Sequence, residues 1–305
     1  MKKYNLNIVV SPDRCDINDF VTIVDVIKKK TDDIYVELSS LYPSDEEVQE
    51  TEVEELPNLK LPSLTVCLVD LPGFNPPGKL LMSKTINKIK QFEIFRKNNI
   101  NTPFTALYDP NMDFSVFKGH VILKPFQPSL QSINENIFVL PIEQVAKEKR
   151  NYEIPFIIQQ FVDSGEYPSI YRAVVFLGEV LYKYRISGTV KKVNGNIPVN
   201  FNNKSHPPEV DTRIWDHNQE VYDFAKTISN AFPESPLLGV DIIEEASSKK
   251  LHAIEVNAGG NVWHFSTHSK SAKYHPHLGE RRLNQYGAFN VAADALINRT
   301  RKLIV

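Results

Sequence analysis

The sequence predicts a mixed α/β protein with more than one lobe, and three observations favour this class. The first 80 residues alternate strand-like and helix-like segments, and strand patterns dominate from Gly119 onward. Near the C-terminus, two apolar runs flank a polar turn at Ser248, as in a β-hairpin. A chain of 305 residues is long enough for two or three lobes. We expect three domains, at residues 1–80, 81–160 and 161–305.

Composition excludes several classes of protein. Hydrophobic residues make up 42% and charged residues 24%, with a formal net charge of −2, so nothing favours nucleic acid or an anionic membrane as partner. No apolar run approaches the roughly 18 residues that span a bilayer, and the N-terminus carries no secretory signal pattern. Cys15 and Cys67 are too few for a disulfide framework and fit a reducing compartment. We therefore expect a soluble, cytoplasmic protein whose specificity lies in a local site.

The individual elements follow from local patterns of apolar residues and breakers. Strands are predicted to begin at Leu6, Ile34 and Leu64, with an amphipathic helix from Asp19 to Lys30 after the first of them. The remaining predictions, in chain order, are a helix capped by Ser83 and ended at Asn98-Asn99, strands at 121–124 and 156–162, a hairpin at 173–182, a helix at 218–232 and a closing helix at 285–299.

The C-terminal hairpin carries the strongest candidate site. If its turn is centred on Ser248, Asp241 lies opposite Glu255, and Asn257 projects from the same face. The other face then takes the apolar side chains of Val240, Ile242, Ile254 and Val256. No basic residue of the hairpin shares the acidic face, so the two carboxylates repel unless a cation lies between them, and oxygen ligands suit Mg²⁺ or Mn²⁺. The alternative is an exposed hairpin with an acidic outer face. The glycines after Asn257 open the backbone to a ligand and favour a metal site that handles phosphate.

Two upstream segments point to a nucleotide. Lys124 ends an apolar strand and precedes Pro125, so we expect an enclosed ammonium that needs an anion, for which a phosphate would serve. The alternative is a lysine that extends to solvent at a strand end. Gln160, Phe161 and Val162 end the next apolar strand, where backbone groups and apolar walls together can form a slot for a flat heterocycle.

Two arginines and a group of histidines are further candidates. Arg172 opens one strand and Arg185 closes its hairpin partner, so the two guanidiniums could clamp a phosphate or a substrate carboxylate, with outer-face salt bridges as the alternative. A loose histidine cluster follows the glycines, at His264, His268, His275 and His277. Its irregular spacing and the lack of a nearby cysteine disfavour zinc, and contact of one histidine with substrate is the better hypothesis.

Read in order, these segments resemble the ATP-grasp superfamily from Lys84 to the end of the chain, and are most similar to the branch that holds glutathione synthetase and the ribosomal-protein glutamate ligases. The resemblance implies an ATP-grasp fold with a small N-terminal α/β domain, a central lid subdomain and a C-terminal catalytic subdomain. Lys88 and Lys124 resemble the two nucleotide lysines of the family. The other positions that match are Gln160, Phe161 and Val162 for the adenine hinge, Arg172 and Arg185 for phosphate or substrate, and Asp241, Glu255 and Asn257 for the metal.

Two departures from the family pattern concern the nucleotide. The family usually has a glycine-rich loop over the phosphates, whereas this chain has no glycine between Phe126 and Ser132, and Ser129 and Ser132 are the candidate donors instead. The family also commonly has an acid for the ribose where this chain has Ile170, and Glu166 is the candidate replacement.

The resemblance implies an ADP-forming carboxylate–amine ligase that uses ATP with Mg²⁺ or Mn²⁺ and forms an amide or peptide bond through an acyl phosphate. One alternative is a small-molecule kinase on the same scaffold. Another is a nucleotide-binding protein without ligase activity, suggested by the missing glycines and by Ile170. The carboxylate and amine substrates, small molecules or peptides, are not identified by the sequence. The oligomeric state is also open, although homodimers are common in the resembled families.

Overall fold

The computed structural model describes residues 2–41, 60–126, 137–150, 152–188, 212–265 and 277–304. Within these ranges the strands form three sheets, one parallel and two antiparallel. The serines proposed as phosphate donors, Ser129 and Ser132, lie outside the described residues, as do His268 and His275.

The first sheet is parallel, with strand order β2-β1-β3-β4. Its elements are β1 (Tyr4–Val10), α1 (Ile17–Lys30), β2 (Ile34–Ser40), β3 (Ser63–Cys67) and β4 (Lys79–Met82). The predicted helix and the three predicted strands are confirmed. Strand β4 was not predicted because prolines and glycines surround it, and it continues the sheet past the proposed boundary at residue 80.

The second sheet is antiparallel, with order β5-β8-β6-β7. Its elements, preceded by helix α2 (Lys88–Lys97), are β5 (Thr105–Leu107), β6 (His120–Pro125), β7 (Phe138–Pro141), α3 (Ile142–Glu148) and β8 (Phe156–Gln160). Val121, Leu123 and Ile158 pack on one face against Val145 of α3 and form a small core. Strand β8 ends at Gln160, so the predicted extension to residue 162 is wrong.

The third sheet is antiparallel, with order β11-β10-β9-β12-β13. Its strands are β9 (Ser169–Phe176), β10 (Glu179–Ser187), β11 (Arg213–Ile214), β12 (Leu237–Glu244) and β13 (Leu251–Ala258), with helix α4 (Gln219–Asn230) between β11 and β12. One face carries Tyr171, Ala173 and Val175 and packs against α4 and α2. The opposite face carries Val174 and Phe176 and packs towards the first sheet.

Two helices end the described chain, α5 (His277–Tyr286) and α6 (Ala288–Arg301). The single closing helix predicted at 285–299 is wrong in its first turn, because Gly287 adopts a left-handed conformation with φ +69° and separates the two helices. No described helix is long and apolar enough to cross a membrane.

The first and third sheets share one hydrophobic core. Helices α1 and α6 pack between them, and the indole Nε1 of Trp263 donates a 2.9 Å hydrogen bond to Asp19 of α1. This core is continuous across the proposed domain boundaries, so the division at residues 80 and 160 stays a prediction.

The start of helix α2 differs from the sequence prediction and can be tested. The cap is Asn87, whose side-chain oxygen accepts a 2.9 Å bond from the backbone N–H of Lys90, whereas Ser83 lies before the helix and is buried. We expect Asn87→Ala to lower the free energy of unfolding by about 1 kcal/mol, and Asn87→Ser, which keeps a capping oxygen, to lower it by much less. Urea denaturation measures both. Ser83→Ala is the control, and a larger loss in that variant than in Asn87→Ala would contradict the assignment.

Candidate functional site

The β12–β13 hairpin brings the three predicted metal-site residues to one face of the third sheet. Asp241 pairs directly with Glu255, as predicted, and Asn257 pairs with Gly239. A side chain at Gly239 would collide with the next segment, because its Cβ would lie 2.7 Å from the Cγ1 of Val262. We call this surface the site face, defined by Asp241, Glu255 and Asn257.

Nearer the turn, the hairpin departs from the simple register. A bulge between Asp241 and Ile242 pairs Ile242 with Ala253. Ala253 therefore occupies the core face, and Ile254, which was predicted there, is not part of that core. The change does not reach Glu255, because the strands are in register again beyond the bulge.

Both carboxylates of the site face are paired with cations from other elements. Arg172 of β9 lies beside Asp241 and donates two hydrogen bonds to its carboxylate, of 2.7 Å from Nε and 2.6 Å from Nη2. Lys88 of α2 forms an ion pair with Glu255. The folded chain thus does bring basic residues to this face, contrary to the prediction, because they come from elements outside the hairpin. Repulsion between the two carboxylates does not by itself require a metal ion.

Burial and neighbouring charges shift the pKa values of Glu255, Asp241 and Arg172. Burial would raise the pKa of Glu255, but the ammonium groups of Lys88 and Lys124 outweigh it and lower that pKa to about 2. Burial raises the pKa of Asp241, and Arg172 opposes that shift through its charge and its two hydrogen bonds. The pKa of Arg172 is in turn raised, chiefly by the charge of Asp241. Glu255 is therefore ionised at neutral pH.

Lys124 is enclosed, as predicted, and does not extend to solvent. Its ammonium donates a 3.1 Å hydrogen bond to the amide oxygen of Gln159, whose nitrogen donates in turn to Thr105 at 3.0 Å. The hydrogen-bond partner of Lys124 is thus an amide, while the carboxylate of Glu255 acts on it through its charge. Burial, and then the charge of Lys88, lowers the pKa of Lys124 to about 7.

The lowered pKa of Lys124 predicts that the stability of the protein depends on pH. The lysine pKa is 10.5 in the unfolded chain and about 7 in the fold, so the unfolded state binds more protons between these values. The free energy of unfolding should therefore rise with pH from about 7 upward, by up to about 1 kcal/mol per unit. Urea denaturation at several pH values checks this. Lys124→Met should lack this contribution, whereas Lys90→Met, at an exposed lysine, should keep it.

Helix α2 is fixed to β13 by a residue that sequence reasoning missed. The side chain of Gln91 accepts a 2.9 Å bond from the N–H of Val256 and donates a 3.0 Å bond to its carbonyl. Lys88 lies one helical turn earlier and is only 6% exposed, so it is not a surface lysine. The only available signal was the helical spacing of Lys88 and Gln91, which is too common to be specific.

Part of the hydrogen-bonding capacity of the predicted adenine hinge, at the end of β8, is taken up by other residues of the chain. The side chain of Gln160 accepts a bond from the N–H of Lys118 at 2.9 Å and donates to its carbonyl at 2.7 Å. The backbone N–H of Phe161 donates to His120. These bonds hold the neighbouring loop in place, the side chain of Val162 is buried, and the role of the segment towards adenine stays a prediction.

Arg185 is not on the site face, so the predicted clamp by Arg172 and Arg185 is wrong. Arg172 pairs with Tyr184, and Arg185 pairs with Tyr171, so successive positions place the two arginines on opposite faces. The cause is a bulge between Val180 and Tyr182, which reverses the alternation along β10. The guanidinium carbon of Arg185 lies 5.9 Å from the ring centre of Tyr171.

Two other arginines, which sequence reasoning missed, lie on the Arg172 side of the sheet. Arg213 pairs with Ile186, two residues from Tyr184, and its guanidinium carbon lies 5.7 Å from the Tyr184 ring centre. Arg282 of α5 lies at the same distance, 5.7 Å, from the ring centre of Tyr182. No sequence pattern marked either residue, because β11 has only two residues and α5 was not predicted.

Among the other predicted residues, the structure describes Glu166 and His264. Glu166 is exposed in the loop between β8 and β9, and its role towards a ribose stays a prediction. His264 is described, and burial, followed by the charge of Arg282, lowers its pKa to about 4. It is therefore neutral at physiological pH. Among the described residues no group of three His, Cys, Asp or Glu side chains could hold a metal ion, so a metal on the site face would need the amide of Asn257.

A cavity of about 410 Å³ opens on the site face. Its lining consists of Thr85, Ile86, Lys88, Gln91, Arg172, Glu255, Val256, Asn257, Ala258 and Val262. It thus joins helix α2, strand β9 and the end of β13 in one polar space. Ionised carboxylate, amide oxygen, ammonium and guanidinium groups all meet there, which is a set suited to phosphates and carboxylates.

Comparison with solved structures places the fold. The chain is similar to a RiPP-associated ATP-grasp ligase of Chryseobacterium gregarium, whose structure contains ADP and a leader and core peptide. The two chains are 11% identical with a TM-score of 0.55, and the match covers 98% of this chain and 97% of that one. It is also similar to N5-carboxyaminoimidazole ribonucleotide synthetase from Thermotoga maritima, at 13% identity and TM-score 0.51, over 98% of this chain and 76% of that one. A third similar structure is the macrocyclase MdnC from Microcystis aeruginosa, bound to its precursor peptide, at 11% identity and TM-score 0.50, over 96% and 99% of the two chains.

No protein-family model and no curated protein sequence matches the chain. The three sheets and the structural neighbours together define the fold class. The chain has the ATP-grasp fold, as the sequence predicted.

Proposed function

We propose that this protein is an ATP-dependent, ADP-forming ligase that joins a carboxylate to an amine. One observation carries the proposal. The carboxylate of Glu255, the amide of Asn257 and the cations Lys88 and Arg172 line a cavity of about 410 Å³ in a chain with the ATP-grasp fold. Such a site supplies the charge neutralisation and alignment on which phosphoryl transfer depends.

The lysines are suited to the phosphates of ATP. Lys88 lines the cavity, and Lys124 is close enough to Lys88 and Glu255 for their charges to shift its pKa. A bound phosphate would favour the charged form of Lys124, which burial disfavours in the free protein. The segment from Gln160 to Val162 is the proposed contact for the adenine, and Glu166 for the ribose.

The donor set also fits Mg²⁺ or Mn²⁺. Asp241, Glu255 and Asn257 offer hard oxygen atoms on one face, and Glu255 is ionised at neutral pH. Carboxylate oxygens keep further lone pairs after they accept the bonds from Arg172. When bound by these residues, the ion would supply neutralisation of phosphate oxygens.

The reaction proceeds in two steps. An oxygen of the substrate carboxylate attacks the γ-phosphorus of ATP, the bond to the bridging oxygen breaks, and ADP leaves. The amine nitrogen then attacks the acyl carbon of the acyl phosphate, phosphate leaves, and the amine loses a proton to give the amide. Arg172 faces the cavity and is the group placed to stabilise the oxyanions that develop.

The substrates are proposed only by class. Two of the similar structures contain peptides, which favours a peptide as one substrate, although small molecules fit the cavity as well. The cytoplasm is the proposed location, since Cys15 and Cys67 are both free and buried.

A screen for ADP release tests the proposal. Purified protein is incubated with ATP, Mg²⁺ and panels of amino acids and short peptides, and the nucleotide products are separated. We expect ADP release that depends on both a carboxylate and an amine. AMP as the product would overturn the proposal, and a stable phosphorylated product formed without an amine would indicate a kinase. Nucleotide binding without turnover across the panels would indicate a binding protein.

A further inference from the structure

Three buried polar side chains on one face of the second sheet form a hydrogen-bonded network that ends at Lys124. Thr105 of β5 lies opposite Gln159 of β8. Gln159 also lies opposite Ile122 of β6, which is two residues before Lys124. Because opposite residues and residues two apart share a face, all three polar side chains point to the same side of the sheet. Thr105, Gln159 and Lys124 are 4%, 1% and 8% exposed, and we call them the Lys124 network.

A backbone carbonyl sets the direction of every hydrogen bond in the Lys124 network. The hydroxyl of Thr105 donates a 3.0 Å bond to the carbonyl of Pro103, which has no proton to give in return. Because the single hydroxyl proton is used there, Thr105 can only accept from Gln159, whose Nε2 donates at 3.0 Å. The side-chain oxygen of Gln159 must then face the opposite way, and it accepts a 3.1 Å bond from Nζ of Lys124. Pro103 thus fixes the orientation of the amide.

The amide of Gln159 holds the ammonium of Lys124 without neutralising it. An ammonium has three N–H donors, and within the described part of the chain only Gln159 accepts a hydrogen bond from Nζ. Lys88 differs, because its ammonium is paired directly with the carboxylate of Glu255. Two donors of Lys124 are therefore left for an anion. A flipped amide would instead place its own N–H groups against the ammonium.

We propose that Gln159 and Thr105 are positioning residues, which hold Nζ of Lys124 where it binds a phosphate group of the nucleotide. This inference rests on the proposed function for the identity of the anion. A neutral acceptor fixes the ammonium and leaves its charge to the phosphate, whereas a carboxylate in the same place would compete with the phosphate. The buried setting strengthens each hydrogen bond of the network.

The variants Thr105→Val and Thr105→Ser test the network through the affinity for ADP, which is measured by calorimetric titration with Mg²⁺ present. Valine has the shape of threonine but no hydroxyl, so the amide of Gln159 loses its fixed orientation. We expect the dissociation constant of ADP to rise about tenfold. Serine keeps the hydroxyl, so Thr105→Ser should keep the dissociation constant within about threefold of the wild-type value.

Thr102→Val is the matched control for the valine variant. Thr102 lies in the same segment between α2 and β5, and its hydroxyl donates a 2.8 Å hydrogen bond to the carbonyl of Ala253, outside the network. The control loses a hydrogen bond of the same kind but should bind ADP within about twofold of the wild-type protein. Urea denaturation of both valine variants measures their stability. Equal losses of ADP affinity in Thr102→Val and Thr105→Val would overturn the proposal.

Gln159→Glu separates positioning from packing. Glutamate has nearly the shape of glutamine and still offers Lys124 an acceptor, but its charge pairs with the ammonium and repels the phosphates. We expect ADP to bind about tenfold or more weakly, although circular dichroism shows a folded protein. If Gln159→Glu does not fold, Thr105→Val decides the question alone. Wild-type ADP affinity in Thr105→Val, or in a folded Gln159→Glu variant, would contradict the positioning role.

The positioning role and the ligase function can be refuted separately. Variants that weaken ADP binding as expected, in a protein that releases no ADP in the two-substrate screen, would retain the positioning role and exclude the ligase. ADP release that depends on both substrates, together with variants that bind ADP like the wild-type protein, would retain the ligase and exclude the positioning role. A wild-type protein that does not bind ADP would exclude both.

Discussion

Glu255→Gln is expected to lower the rate of ADP release by about 100-fold or more while the protein stays folded. The amide has the shape of the carboxylate but no charge, so the site loses an ionised oxygen ligand and Lys88 loses its ion-pair partner. The pKa of Glu255 is held at about 2, so the wild-type carboxylate is fully ionised under assay conditions. Steady-state kinetics with saturating ATP measures the change.

Glu244→Gln is the matched control for this variant. Glu244 lies on the same hairpin, near the turn, and is paired with the exposed Lys249. The control should retain the wild-type rate within about twofold, because exposed ion pairs contribute little. If Glu255→Gln were as active as the control, neither the metal ligation nor the ligase mechanism through this face could stand.

Arg172→Gln is expected to lower both activity and stability. The change leaves the carboxylate of Asp241, which is 4% exposed, without the guanidinium that holds both of its oxygens. Loss of one partner from a buried pair costs about 3–5 kcal/mol, and because the side chain of Arg172 is 34% exposed we expect about 2 kcal/mol. The rate of ADP release should fall by about 100-fold, since Arg172 is the proposed oxyanion donor.

The double variant Arg172→Gln/Asp241→Asn separates the two effects. Urea denaturation should show that the double variant is more stable than Arg172→Gln, because no buried charge remains without a partner. Its activity should stay low. Arg301→Gln, which removes an exposed ion pair with Asp33, is the control and should change the free energy of unfolding by about 0.5 kcal/mol or less. Equal losses in Arg301→Gln and Arg172→Gln would contradict the role of burial.

The parts of the fold that depend on local sequence were predictable. The pairing of Asp241 with Glu255 follows from a short polar turn between two apolar runs, and the helix at α1 follows from its apolar period. The enclosure of Lys124 follows from the apolar strand around it. In each case, the residues that decide the outcome are neighbours in the chain.

The ends of elements were less predictable, because weak local preferences compete there. Asn87 and Ser83 are both good capping residues, and only the packing of α2 on β13 selects the first. Gly287 looked compatible with a continuous helix, yet its left-handed conformation turns α6 towards α1.

By itself, the sequence determined the mixed fold class, the acidic hairpin and the resemblance to the ATP-grasp superfamily, because periodicity, turns and short motifs are properties of adjacent residues. Only the tertiary structure decided which cations meet those acids. Lys88 reaches Glu255 from another element, and one bulge in β10 moves Arg185 to the far face. Arg213 and Arg282, which come from separate parts of the chain, lie over the rings of Tyr184 and Tyr182. Long-range packing and a single inserted residue set these contacts, and neither leaves a pattern in the local sequence.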